Sequence, residues 1–152
     1  MQSKRIDPLL KRAQDHEDEV ARDLAERQRV LDTHLSRLDE LRRYAEEYAN
    51  AQMAATSPAQ LLNRRAFLDR LDTAVAQQRQ TVDTNREKVE AERARLILAS
   101  RDKAVLEQLA ASYRAQEKVL VDRRDQREMD DIGARRSRAA RAEDTDSGET
   151  QR

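Results

Sequence analysis

The seven-residue recurrence Leu68, Val75, Val82, Val89, Leu96 constrains this chain more than any other feature. Apolar residues held to a heptad over this length describe a helix that lays one stripe on a partner helix, the seam of a coiled coil. The stripe then shifts by three, to Ala99, Leu106, Tyr113 and Leu120. Alternate seam positions, Gln78, Asn85 and Glu92, are polar; such residues weaken a seam but often fix its register. Two Gly and two Pro are spread over 152 residues, and aromatics make up 3%. A compact two-layer core needs more large apolar volume and more turns. Charged residues at 39% would also suit disorder, but a disordered segment has no reason to keep a heptad.

Upstream, Asp7-Pro8 reads as a helix start, Asp as N-cap and Pro at the first helical position. Apolar residues then recur every three or four positions at Leu9/Leu10, Ala13, Val20, Leu24, Leu31, Leu35, Leu38, Leu41, Ala45 and Tyr48. The spacing slips between Leu31 and Leu38, implying a local change of supercoil. Acid-first pairs Asp18–Arg22, Asp23–Arg27 and Asp39–Arg43 support this helix. In ATSPAQ, Ser57 caps, Pro58 takes the first helical position and Gln60 is the capping-box partner. The expected fold is all-α, an antiparallel two-helix coiled coil over residues 1–142. Its helices run over about 8–54 and about 58–141, with a turn at 55–57 and a disordered tail at 143–152.

Pairing about that turn sets Leu38 opposite Val75, Leu31 opposite Val82, Leu24 near Val89 and Ala13 near Ala99. The second helix would overhang the first by 37 residues, or ~55 Å at ~1.5 Å per residue. The overhang contains RDQREMDDIGARR, Arg124 to Arg136, where only Met129, Ile132 and Ala134 are apolar. A helix this polar is marginal in water when unpaired. A partner is therefore expected to hold it, with Leu120, Met129 and Ile132 read as lying on one side.

Thirty basic and 30 acidic residues are interspersed and cancel. No field of one sign draws the whole chain to nucleic acid or a membrane. Arg supplies 25 of the basic residues, and Cys is absent, so disulfides and thiolate metal sites are excluded. MQSKRIDPLL lacks the long apolar core of a signal peptide, and no run approaches the ~20 apolar residues of a membrane span. A soluble cytoplasmic protein is expected. His16 and His34 read as lone solvated residues, and EDEVARDLAE as a charged outer face. No Gly-rich phosphate loop is present, and a two-helix rod offers no water-excluding pocket. No enzyme activity, cofactor or metal is expected. RRSRAAR, Arg135 to Arg141, reads first as a helix C-terminus whose charges suit the dipole, and second as a docking segment. Tyr44, Tyr48 and Phe67 gather with Leu41, Leu71 and Ala74 near the hairpin tip, more than a narrow seam can absorb. That points to a docking patch.

Three stretches in order carry a family resemblance: LRRYAEEYANAQ before the turn, LLNRRAFLDRLDTAVAQQRQTV after it, and RRDQREMDDIGARR near the end. Over roughly Leu10 to Arg136 the chain resembles the FliJ family of flagellar type III export proteins and its YscO-type virulence-system relatives. The last stretch is similar to the family's Arg-x-x-Gln-x-x-Met-Asp-Glu run, with Asp131 where Glu is usual and Arg127 where Lys is common. The resemblance implies a stalk-like, non-enzymatic coiled coil at the cytoplasmic face of the inner membrane, at the flagellar base. It would bind the hexameric export ATPase at its joined ends and the cytoplasmic domain of the export gate, FlhA, at its tip, and would help cycle export chaperones. The gate-facing patch falls on Leu41, Tyr44, Tyr48, Phe67, Leu71, Ala74 and Gln78, the last standing where some relatives carry His. The ATPase-facing end falls on Lys11, Arg12, Leu120, Arg127, Met129, Asp130 and Ile132. The competing readings are a self-associating scaffold, the equivalent virulence-system component, and, disfavoured by zero net charge, a nucleic-acid-binding rod.

Overall fold

The computed structural model describes residues 1–51 and 57–147. It is an all-α helical hairpin of two helices, α1 (Gln2–Asn50) and α2 (Pro58–Asp146). α2 starts where its cap directs: Gln60 N–H donates to Ser57 Oγ at 3.3 Å and Leu61 N–H to Ser57 O at 3.2 Å. The expected turn residues 55 and 56 lie outside the described residues.

α1 begins six residues before the expected start, and Pro8 lies inside it. Asp7 is not a cap; its carboxylate pairs with Arg114 at 3.0 Å. An interior proline deletes a hydrogen bond and crowds the preceding turn. Packing offsets that cost, because Ser3 and Ile6 are both buried. Contacts group the chain into two units, Arg12–Lys103 and Met1–Lys11 with Ala104–Arg152.

In the Arg12–Lys103 unit, Val20, Leu38, Leu71, Val82, Val89 and Ala99 are buried. The expected slip in α1 is absent. Glu17, Leu24, Leu31, Leu38 and Ala45 keep a seven-residue step of buried or half-buried positions. His34 occupies the slot between Leu31 and Leu38, so the stripe changes chemistry there without changing register. α2 likewise does not shift by three. Gln78, Asn85, Glu92 and Ala99 form one seam line beside Val75, Val82, Val89 and Leu96. The Asn85 amide turns back on its own helix, donating to Thr81 O at 2.8 Å. Lys103 and Glu17, both mostly covered, pair across the seam at 3.2 Å.

In the other unit, Ile6 and Ala110 are buried, with Leu10, Leu106, Tyr113 and Glu117 half-buried. The Glu117 carboxylate closes the start of α1. Ser3 N–H donates to Oε1 at 3.1 Å and Ser3 Oγ–H to Oε2 at 2.5 Å. An anion belongs there, where helix N–H groups lack partners. The Ser3 hydroxyl first, and then its backbone N–H, hold the Glu117 carboxyl below the usual carboxylate value. Beyond Glu117 every described residue is exposed. The lone part of α2 is therefore 118–146, 29 residues, or ~44 Å at ~1.5 Å per residue. The lone part is shorter than the expected overhang, in part because α1 starts six residues early. Residues 143–146, expected as tail, are helical, with Thr145 Oγ1 donating to Arg141 O at 3.1 Å. No helix among the described residues is long and apolar enough to cross a membrane.

Candidate partner-binding surfaces

Two surfaces carry the sequence-derived candidates; apart from Arg12, which falls in the Arg12–Lys103 unit, each lies within one unit. In the Arg12–Lys103 unit the aromatic cluster exists. Phe67 packs edge-on against Tyr48 at 4.5 Å between ring centroids and against Tyr44 at 6.3 Å. Such pairs prefer offset or T-shaped geometry and add about 0.5–1.5 kcal/mol beyond area burial. Tyr44 stays 51% exposed and can reach a partner. Leu41, Ala74, Tyr48 and Phe67 are half-buried. Leu71 is buried and packs the hairpin rather than offering itself.

Gln78 is also occupied. Its Nε2 donates to His34 O at 2.9 Å and lies 3.2 Å from His34 Nδ1. His34 is therefore half-buried in the seam and hydrogen-bonded, not a solvated residue on a charged face; His16 is exposed. Arg37, Glu40, Leu41, Tyr44 and Gln78 line a groove beside the cluster.

Arg64 was not singled out in the sequence. Its Nη2 donates to Ala49 O at 2.9 Å, Ala51 O at 3.1 Å and Tyr48 O at 3.3 Å. A guanidinium on the orphan carbonyls of a helix C-terminus satisfies them and matches the dipole. Its buried Nε has no hydrogen-bond partner among the described residues. Leu61 and Leu62 in the first turn of α2 are 51% and 68% exposed. Leu61 keeps the seven-residue step of Leu68 and Val75, one heptad before the stripe was read to begin, and Leu62 lies beside it.

The second surface is the end of α1 and the lone helix that continues past it. Met1 and Gln2 of α1's start, with Tyr113, Glu117, Leu120, Val121 and other α2 residues, line a largely apolar groove of about 490 Å³. Met129 and Ile132 are 71% and 50% exposed, and Lys11, Arg12, Arg127 and Asp130 are exposed too. Asp130 accepts from Gln126 Nε2 at 3.3 Å. Leu120 does not share a side with Met129. At about 100° per residue, nine residues place them roughly half a turn apart. Met129 and Ile132, three apart, do share one.

Among the described residues no group of three or more His, Cys, Asp or Glu could hold a metal ion.

The family model described as Flagellar FliJ protein matches residues 2–142. No curated protein matches the chain, and no solved structure does. The match runs through both helices, across the capped start of α2 and over most of the lone helix. The chain belongs to the FliJ family and is a component of the flagellar protein export apparatus.

Proposed function

We propose that this protein is a non-enzymatic stalk of the flagellar export machinery. It binds the hexameric export ATPase through the lone part of α2 and the cytoplasmic domain of the export gate FlhA through the aromatic cluster. It couples the two and assists the cycling of export chaperones, working at the cytoplasmic face of the inner membrane. The observation that carries this reading is the lone helix. Twenty-nine helical residues with no covered side chain have no folding reason to persist, since unpaired polar helices are marginal. Insertion into a ring would supply the missing contacts. The ATPase-facing residues are Lys11, Arg12, Leu120, Arg127, Met129, Asp130 and Ile132. At the gate-facing surface Tyr44 makes the contact, with Leu41, Tyr48, Phe67 and Ala74 supporting it. Leu71 and Gln78 act by holding the hairpin beneath it.

Calorimetric binding to the purified ATPase and to the FlhA cytoplasmic domain tests the assignment. A chain ending at Glu117 should lose the ATPase and keep FlhA. Tyr44→Ala/Phe67→Ala should do the reverse, weakening FlhA at least ~10-fold, as expected for aromatic anchors. Equal binding of both partners by both variants would remove the two-surface assignment.

A further inference from the structure

The lone helix sorts its charges by face. At about 100° per residue, Arg123, Arg124, Arg127, Arg135, Arg138 and Arg141 fall within a sector of about 120°, and all are exposed. Asp131 is the one acidic residue among them. Asp122, Asp125, Glu128 and Asp130 lie outside the sector, with Lys118, Arg136, Met129 and Ile132. The sector is not arbitrary. It prolongs the direction in which α2 meets α1 through Leu106, Tyr113 and Glu117. Leu120 lies on it, at the mouth of the apolar groove beside Met1. The side of α2 that accepts a helix thus continues past the end of α1 as a file of arginines. Arg124 has a partner on its own helix, Glu128 at 3.6 Å, but both side chains are largely exposed, and such pairs hold little energy.

We infer that, of the ATPase-facing residues, those on the arginine face of residues 120–141 form the principal docking surface, and the Met129/Ile132 side adds little to it. Its occupant is an acidic amphipathic helix of the export ATPase, which enters the open end of the seam. This deepens the proposed function and rests on it. Continuity with the α1–α2 seam specifies a helical occupant with an apolar residue for the groove at Leu120. The arginines specify carboxylates at seam spacing, which Arg meets in two-point hydrogen bonds. A second copy of this chain presenting the same face would set Arg against Arg. Nucleic acid would meet the arginines but leave the apolar groove unfilled.

The test measures affinity of the full-length chain for the ATPase from about 50 to about 300 mM NaCl, a range over which screening changes strongly. Three further proteins are compared: Arg124→Glu/Arg127→Glu/Arg138→Glu, Asp122→Asn/Asp125→Asn, and the chain ending at Glu117. The arginine reversal is expected to weaken binding ~100-fold or more and to abolish its salt dependence, while the Asp122/Asp125 variant stays within about threefold. Truncation at Glu117 is expected to remove binding. If truncation removes binding but the arginine reversal leaves it intact, the arginine face is not the docking surface, although the ATPase assignment survives. If truncation leaves binding unchanged, the ATPase assignment fails and the inference fails with it. Arginine-dependent binding of duplex DNA without ATPase binding overturns the inference in favour of nucleic acid. An arginine-dependent dimer in sedimentation overturns it in favour of a second copy.

Discussion

Arg64 and Glu117 do for the ends of α1 what its own sequence does not. The helix has no acidic residue in its first turn and no basic residue in its last. α2 supplies both, a guanidinium on the carbonyls of Tyr48, Ala49 and Ala51 and a carboxylate on Ser3. Arg64→Met keeps the apolar stem and removes the donor. It should cost about 1–2 kcal/mol, the usual worth of charge-assisted helix-end bonds, read as a lower melting temperature by circular dichroism. Glu117 gives a pH signature. Its carboxyl titrates below the ordinary 4.5 because Ser3 bonds the ionised form. A depressed acid stabilises fully above the unfolded value and loses that contribution as pH falls through the folded one. The melting gap between wild type and Ser3→Ala should hold from pH 7 down to about 5 and close below the carboxylate range. Asn85, buried and bonded among the described residues only to Thr81 of its own helix, gains no hydrogen bond from α1. Asn85→Leu should therefore stabilise the hairpin by about 1 kcal/mol, against the common expectation that a seam asparagine is worth keeping for register.

At the scale of elements, α1 and α2 differ in what holds them. α1 is covered along one stripe from Ser3 to Tyr48. α2 is covered only to Glu117, and then 29 residues stand in water. Amide exchange should show the difference directly. Protection at Val82, Val89 and Ala99 should approach the global value, while amides from Val119 to Arg141 should exchange as a fraying helix. Pairing in these helices was legible in the sequence because a heptad leaves few alternatives. Both seam lines were there to read, although Lys103 and Glu117 hid the continuation of the Leu68–Leu96 line by being charged where an apolar residue was sought. The early start of α1 was not legible. Asp7-Pro8 is a strong local start signal, and only the tertiary contacts of Ser3 and Ile6 override it. The docking candidates were half legible. Aromatics too many for a seam pointed to the cluster, but nothing local said that Leu71 is buried or that Gln78 is spent on His34. The charge sorting of the lone helix needed its helical phase and the place where α1 stops.

In the whole molecule, the exposed end of α2 is the part proposed to act on another protein. The most direct measurement is the ATP hydrolysis rate of the purified export ATPase, alone, with the full-length chain, and with the chain ending at Glu117. Circular dichroism of the shortened chain should confirm that the hairpin still melts cooperatively, since every residue of 118–146 is exposed. The full-length chain is expected to stimulate hydrolysis and the shortened one is not. Equal stimulation by both would contradict that expectation and move the ATPase contact onto the paired part of the hairpin.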